Sequence, residues 1–299
     1  MVRYWTIIFS FLIAFSFTKT EAKNPPPGTG TTDIPANILI MLDNSGSMSA
    51  RLAGAVQIHY PVDVNVDRFG NIYVLEYWNN RIKKFDSSGN YIKAFGGPGS
   101  NCSQWRNARQ FDIKDDVIYI SDTNNNRFVT LSLDGACRTT RHNSLLVSTP
   151  TAMAVGGGWA WASGGRRGVE SITSHYKSSM NPNPGRNVYN NEGGGSHFIW
   201  GMSWNRSGSR IAYANYSNNR VRIAYRSGHQ LVAQNSPYAS NRVRNCNANR
   251  PSDTAWDSSG NVYYTSVSSH AVYKINPDTC AETKLVGSWS TSSGFRYPY

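Results

Sequence analysis

Short runs of alternating apolar and polar residues recur along most of the chain, and turns rich in Asn, Gly and Ser separate them. The segment 72–89 has a near-copy at 118–135, in which a strand, a polar turn, a second strand and a glycine-bearing turn follow in the same order. Self-similarity with a period of about 40–50 residues is typical of propellers and solenoids. The repeat therefore predicts the architecture before any catalytic residue is considered.

Three weaker copies extend the repeat, at 159–169, 211–223 and 261–273. Each copy has a strand upstream and a further strand downstream, and the Gly/Asn turns between them are those that tight hairpins require. Four short antiparallel strands make one propeller blade. We therefore predict an all-β protein, a β-propeller with five recognisable blades over residues 58–299. Because residues 295–299 resemble the opening of the first blade, an incomplete six-bladed ring stays open as an alternative.

The blades resemble the NHL repeat family, in which a blade reads Pro, apolar strand, Asp-x-x-Gly-Asn, strand, Asp-x-x-Asn-x-Arg, strand. The matching positions are Pro61, Asp67, Gly70, Asn71, Glu76, Asn79, Arg81 and Phe85 in the first copy, Asp122, Asn125 and Arg127 in the second, and Pro251, Asp257, Gly260 and Asn261 in the fifth. Glu76 stands where the family has Asp. The resemblance implies a propeller that usually has six blades. We interpret the Asn79-Asn80-Arg81 turn as structural, since Asn tolerates strained turn backbone and Arg can bond neighbouring strand ends.

The N-terminus has the features of a secretory signal peptide over residues 1–22. Arg3 precedes the apolar run 4–17, and Thr20-Glu21-Ala22 offers a cleavage site. The apolar run is short for a membrane span, although a retained anchor is the alternative. Residues 23–35 form a Pro- and Gly-rich linker. We expect an exported chain that is secreted, periplasmic or held at the cell surface.

Residues 36–57 differ from the propeller pattern. An apolar strand at 38–42 leads into Asp43, Ser45 and Ser47. This segment resembles the first strand and metal loop of a von Willebrand factor A domain, and a carboxylate with two hydroxyls suits Mg²⁺. The resemblance implies Mg²⁺-dependent adhesion, but the rest of that domain has no counterpart here. Two explanations stay open: the propeller is inserted into a longer A domain, or the motif is a remnant.

Four cysteines in an exported chain favour disulfides. Cys137 and Cys280 each start the outer strand of a blade, whereas Cys102 and Cys246 precede the first strands of the same two blades. We therefore predict the pairs Cys102–Cys137 and Cys246–Cys280, each within one blade, against two other possible pairings. A metal site formed by these cysteines is disfavoured, since no Cys-x-x-Cys spacing occurs.

The formal net charge is +12, and arginines are concentrated in the fourth copy of the repeat. Such an excess favours polyanionic partners, although solubility alone would also explain it. The candidate polyanion-binding residues are Arg220, Arg222, Arg226, Arg242, Arg244 and Arg250. The many Trp and Tyr residues suit carbohydrate stacking, but they also fill propeller cores.

The candidate chemistry favours binding over catalysis. The six histidines fall at unrelated points of the repeat, and no paired carboxylates stand out as acid and base. Our leading hypothesis is an exported, non-catalytic adhesion protein whose propeller is a platform for a protein or glycan at a cell surface. The alternatives are a secreted propeller lyase or hydrolase, with His or carboxylates converging at one end of the channel, and a polyanion-binding propeller.

Overall fold

The computed structural model describes residues 56–142, 149–156, 158–166, 169–176, 182–189, 199–227, 230–232 and 244–287. Its strands form five antiparallel sheets that are arranged as the blades of a β-propeller. The all-β prediction is therefore confirmed. The predicted signal peptide, the linker and the loop of Asp43, Ser45 and Ser47 lie outside the described residues.

Each blade follows the chain order from its inner to its outer strand. Blade 1 holds β1 (Pro61–Val66), β2 (Ile72–Glu76), β3 (Arg81–Phe85) and β4 (Tyr91–Gly96). Blade 2 holds β5 (Phe111–Lys114), β6 (Val117–Asp122), β7 (Arg127–Ser132) and β8 (Cys137–His142), with a 3₁₀ turn at Thr123–Asn125. Blade 3 holds β9 (Pro150–Gly156), β10 (Trp159–Arg166), β11 (Val169–Tyr176) and β12 (Pro182–Tyr189).

Blade 4 is the only described sheet with five strands. It holds β13 (Ile199–Trp204), β14 (Arg210–Asn215), β15 (Arg220–Ser227), β16 (Gln230–Val232) and β17 (Arg244–Asn247). Both β16 and β17 pair with β15, along different parts of it. Blade 5 holds β18 (Pro251–Trp256), β19 (Val262–Ser266), β20 (Ala271–Ile275) and β21 (Glu282–Val286).

The hydrophobic core of the described residues lies between consecutive blades. Tyr73 and Leu75 of blade 1 pack with Trp105, Phe111 and Ile118 on the blade 2 side, and all five are almost completely buried. Similar clusters join blades 2 and 3, 3 and 4, and 4 and 5. Because most blades are covered on both faces, successive strand residues are apolar, and this explains why the alternation in the sequence is irregular.

The second Asn of the repeated turn connects blades 1, 2 and 4 to the segments that lead into the next blade. Its backbone lies in the left-handed region at Asn80, Asn126 and Asn219, with φ of 51°, 53° and 53°. The side-chain oxygens of these residues accept the backbone N–H of Asn107 at 2.6 Å, Thr149 at 2.7 Å and Arg250 at 3.1 Å, respectively. Each acceptor therefore holds the segment that leads into the following blade, and the structural interpretation of the turn is confirmed.

In blade 2 the Arg of this turn binds the segment that connects blade 1 to blade 2. Arg127 donates from Nε to Asp122 Oδ2 at 2.6 Å, and both side chains are buried. Its other N–H groups donate to the carbonyl oxygens of Ser100, Asn101 and Gln104. One guanidinium thus satisfies three acceptors of the connection that leads from blade 1 to blade 2.

Both predicted disulfides are present, Cys102–Cys137 with a Cα–Cα distance of 5.6 Å and Cys246–Cys280 with 5.2 Å. One detail of the prediction is wrong, because Cys246 lies on β17 and pairs with Val221 of blade 4. The second disulfide therefore joins blades 4 and 5, since the chain returns along blade 4 before it enters blade 5. Two disulfides are compatible with an extracellular location. The described residues contain no helix long and apolar enough to span a membrane.

Candidate ligand-binding site at the channel mouth

Equivalent positions of the inner strands bring five residues towards the axis of the propeller. In blades 1, 3, 4 and 5 each residue lies two positions after the first paired residue of the inner strand, directly after a shift in the strand register. In blade 2 it is the residue whose carbonyl accepts the N–H of Ser121. The five residues are Asp63, Gln110, Ala152, Gly201 and Asp253. Two carboxylates, an amide and two small residues therefore occupy one level of the ring.

Gln110 connects four blades at this level. Its Nε2 donates to the carbonyl oxygen of Met202 at 3.1 Å and to Asp253 Oδ1 at 3.3 Å. Its Oε1 accepts the backbone N–H of Met153 at 2.8 Å and of Met202 at 3.2 Å. Gly201 is required beside it, since a Cβ there would lie 2.1 Å from Asp253 Oδ1. The buried amide is thus fully bonded, and its role is to hold the inner strands together.

Asp63 and Asp253 line the same pocket at one end of the channel. Asp63 accepts the N–H of Val64 and of Phe111, each at 2.8 Å. Asp253 Oδ1 accepts the N–H of Thr254 at 2.7 Å, whereas Oδ2 accepts no hydrogen bond from the described residues. Burial raises the pKa of Asp253 to about 7, and burial together with the Asp253 charge raises the pKa of Asp63.

This carboxylate pair was missed by the sequence analysis. Asp63 and Asp253 belong to blades at opposite ends of the repeat array, so nothing in local spacing joins them. A signal did exist, because each Asp lies two residues after the Pro that opens its blade, Pro61 and Pro251. Equivalent positions of different blades meet at the axis of a propeller, and comparison of the repeats would therefore have paired them.

A continuous series of aromatic and arginine side chains crosses the same mouth. The contacts between ring centroids, or between a guanidinium carbon and a ring centroid, are Tyr60–Trp78 at 6.2 Å, Trp78–Tyr77 at 4.9 Å, Tyr77–Arg109 at 5.1 Å, Arg109–Trp200 at 5.2 Å, Trp200–Tyr216 at 4.1 Å and Tyr216–Arg250 at 5.7 Å. We call these seven residues the aromatic–arginine arc. They come from blades 1, 4 and 5 and from the segment that leads into blade 2.

The fold places the whole arc at one end of the ring. Tyr77 and Trp78 occupy the turn between β2 and β3, and Tyr216 occupies the equivalent turn between β14 and β15. Arg109 and Trp200 lie at the entry of inner strands and also line the pocket of Asp63 and Asp253. Turns after second strands and entries of first strands lie at the same end of every blade, so their side chains meet there.

The two ends of the arc differ in exposure. Trp78 is 61% exposed and Tyr60 is 51% exposed, which makes the blade 1 end an open apolar shelf. Trp200 and Tyr216 are instead stacked on each other with an angle of 9° between their planes. Arg109 lies between Tyr77 and Trp200, and no carboxylate of the described residues lies within 4.0 Å of its guanidinium. The mouth thus presents a fixed cation beside an aromatic surface.

The six arginines predicted to bind polyanions are not gathered into one patch. Arg250 belongs to the arc, and Arg220 donates to Asn247 Oδ1 at 2.9 Å near the same end. Arg222 is buried, Arg244 is exposed on β17, and Arg226 donates to the carbonyl of Gly208 at the far end of β15. Arg242 lies outside the described residues. Polyanion binding stays a prediction.

Mg²⁺ binding also stays a prediction, since Asp43, Ser45 and Ser47 lie outside the described residues. In the described part of the chain, no group of three or more His, Cys, Asp or Glu side chains is placed to hold a metal ion. His59 is exposed, and His270 is buried in the turn before β20. The side chains of the other four histidines are not among those described.

The chain is similar in structure to known propellers. It resembles a structure of a nidogen/laminin complex, with a TM-score of 0.60 and 13% identity over 75% of this chain and 78% of that chain. It also resembles a streptogramin B lyase, with a TM-score of 0.52 and 13% identity over 76% and 68%. A protein of unknown function from Bacteroides thetaiotaomicron matches with a TM-score of 0.59 and 11% identity over 80% and 63%.

These similarities identify the class of the protein as a β-propeller. At such low identities they show the fold alone, and the fold occurs both in the nidogen/laminin complex and in the streptogramin B lyase. No protein-family model matches the sequence, and no curated protein matches it. Function must therefore be argued from the site.

Proposed function

We propose that this chain is an exported, non-catalytic binding or adhesion protein that holds its ligand on the aromatic–arginine arc. The observation that carries the proposal is the continuity of the arc, which runs from the exposed Trp78 to Arg250 across the channel mouth. Exposed aromatic side chains beside arginines are the residues that contribute most to binding energy at protein surfaces. The ligand would be a protein or a glycan at a cell surface.

The rigidity of the site supports binding of an external ligand. Arg109 is held between two rings, and the amide of Gln110 beneath it bonds to three other blades. Preorganised side chains lose little conformational entropy when a ligand binds. Because Gln110 bonds to other blades at the level of Asp63 and Asp253, a ligand would rest on the face of the propeller and reach no deeper than this level.

Trp78 and Phe69 provide a matched test of this proposal. Trp78 is 61% exposed in the turn after β2, and Phe69 is 63% exposed in the turn before β2, at the opposite end of the same blade. We expect Trp78→Ala to weaken binding on a glycan array or on cells by about 10-fold or more. Phe69→Ala should leave it unchanged. Equal effects of the two substitutions, or no binding by the natural chain, would contradict the proposal.

Mg²⁺ dependence is a separate part of the proposal. Asp43, Ser45 and Ser47 have the oxygen ligands that Mg²⁺ prefers. Binding assays with Mg²⁺ and with a chelator would test their contribution, with Ser45→Ala as the variant. We expect a metal-dependent fraction of adhesion that Ser45→Ala removes, and binding that is equal with and without Mg²⁺ would exclude it.

A second candidate function is that of a secreted lyase or hydrolase, and one observation favours it. Asp63 and Asp253 line one pocket, and a carboxyl with a pKa near 7 can act as a general acid or base at neutral pH. Turnover of polysaccharide or ester substrates that Asp253→Asn abolishes, while ligand binding persists, would support this function. If the natural chain shows no turnover of the ligands that it binds, the candidate fails.

A further inference from the structure

We infer that the ligand of the aromatic–arginine arc is an acidic saccharide, whose carboxylate binds to Arg109 and one of whose sugar rings packs on Trp78. The inference rests on the proposed binding function and adds the chemical class of the ligand. Three features of the mouth carry it: the way in which Arg109 is held, the carboxylates beneath it, and the ring faces that the arc leaves open.

Arg109 is held in a way that suits a carboxylate. Its guanidinium carbon lies 5.1 Å from the centre of the Tyr77 ring and 5.2 Å from that of Trp200. Contacts with ring faces use none of the hydrogen-bonding capacity of the guanidinium N–H groups, and their planar fork matches the two oxygens of a carboxylate. No carboxylate of the described residues lies within ion-pair distance of Arg109. The positive charge of its guanidinium is therefore not neutralised by any of these carboxylates.

The carboxylates of the pocket restrict the charge density of the ligand. Asp63 and Asp253 line the pocket together with Arg109. Asp253 Oδ2 accepts no hydrogen bond from the described part of the chain, and such an oxygen can accept one from a hydroxyl group. A nucleic acid or a heavily sulfated glycan would place several charged groups close to these acidic residues and few hydroxyls. A ligand with one carboxylate per sugar ring and hydroxyls on the rest of the ring, such as a uronic acid, offers Arg109 its counter-ion and the pocket its hydrogen-bond donors.

The open ring faces favour a saccharide over a nucleic acid. Trp200 and Tyr216 cover one face of each other at 4.1 Å, while Arg109 and Arg250 lie over these two rings as well. Proteins that bind single-stranded nucleic acid need open aromatic faces on which successive bases stack. Trp78, which is 61% exposed, offers such a surface at one end only. A single sugar ring next to the Arg109 carboxylate site fits this arrangement.

The test is calorimetric titration of the full chain with three probes. These are an oligogalacturonate, its methyl ester, which has the same sugar without the charge, and a single-stranded DNA oligonucleotide. We expect binding of the oligogalacturonate and about 10-fold or more weaker binding of the ester, because a hydrogen bond between charged groups is lost. Arg109→Ala should reduce affinity for the oligogalacturonate by a similar factor. Arg109→Lys should recover part of it, since the charge remains without the fork.

Arg68 supplies the matched control. It lies over the Phe69 ring at 4.6 Å and pairs with Asp116 at 2.6 Å, in the turn at the opposite end of blade 1. Arg68→Ala should therefore leave affinity for the oligogalacturonate unchanged, and a thermal melt of each variant would show whether it is folded.

Several outcomes would overturn the inference. Equal affinity for the acid and the ester, tighter binding of the DNA, or an Arg109→Ala effect no larger than that of Arg68→Ala would each exclude the proposed ligand class. If the chain binds a neutral glycan and Trp78→Ala abolishes that binding, this inference fails, but the proposed binding function is still supported. Absence of all saccharide binding would also overturn the inference.

Discussion

Removal of Asp122 should destabilise the propeller strongly, because it leaves a buried guanidinium without its counter-ion. Asp122 is fully buried and the side chain of Arg127 is 2% exposed. Asp122 also accepts the backbone N–H of Arg106 at 2.8 Å and the amide of Asn125 at 2.9 Å. Loss of one partner from a buried pair typically costs about 3–5 kcal/mol. We expect Asp122→Ser to lower the free energy of unfolding by an amount in this range.

Blade 5 shows how the same site is built without charge. Ser266 and Ala271 are paired in the register that Asp122 and Arg127 occupy in blade 2. Changing both blade 2 residues to those of blade 5 removes the guanidinium together with its counter-ion. The double variant, Asp122→Ser with Arg127→Ala, should therefore lower the free energy of unfolding by about 1–3 kcal/mol less than the sum of the two single variants.

Urea unfolding followed by tryptophan fluorescence would measure the three variants. Arg81→Ala in blade 1 is the control, since Arg81 is 36% exposed and Glu76 keeps Lys83 as a second partner at 3.1 Å. Arg81→Ala should lower the free energy of unfolding by about 1 kcal/mol or less. Additive costs in blade 2, or an Asp122→Ser effect as small as that of Arg81→Ala, would refute this reasoning.

Three further predictions concern the ring itself. Burial raises the pKa of Asp253 from an ordinary value near 3.8 to about 7, so the stability that its protonated form contributes is fully present below about pH 4 and is lost as the pH rises through 7. The free energy of unfolding should therefore fall by on the order of 2 kcal/mol from pH 5 to 8, and by less in Asp253→Asn. Replacing Cys246 and Cys280 by Ser should lower the unfolding free energy by about 4 kcal/mol, since the bond closes a loop of 34 residues, and an unchanged urea midpoint would contradict this. Gly201→Ala should cost about 1–3 kcal/mol in the same assay, because a Cβ would overlap Asp253, and a neutral effect would show that the inner strands can separate.

The features of the fold that repeat were predictable from the sequence. Strand, turn and strand recur with the same turn residues, so the blades and the structural role of the Asn-Asn-Arg turn followed from local patterns. The pairing of Cys102 with Cys137 also followed, because both cysteines have counterparts at equivalent points of another copy. The blade to which Cys246 belongs was not predictable, since it depends on a return strand in a variable connection.

The candidate site depends on contacts between distant blades, and most of it escaped sequence reasoning. Arg109 and Trp200 are far apart in the chain and meet only because the ring brings the entries of inner strands together. The clustering of arginines in the fourth repeat was misleading in part, because the geometry of a strand separates residues that are close in sequence. Along β15, Arg222 is buried, whereas Arg220 and Arg226 bond at opposite ends.

Hydrogen exchange with and without bound ligand would test most directly whether the aromatic–arginine arc is the binding face. The ligand would be the glycan that the chain retains most strongly on an array. We predict that protection concentrates in residues 77–80, 106–110 and 216–219, which contain Tyr77, Trp78, Arg109 and Tyr216 of the arc. Protection of the turns at the opposite end, 67–71 and 257–261, with no change at the arc, would contradict the account.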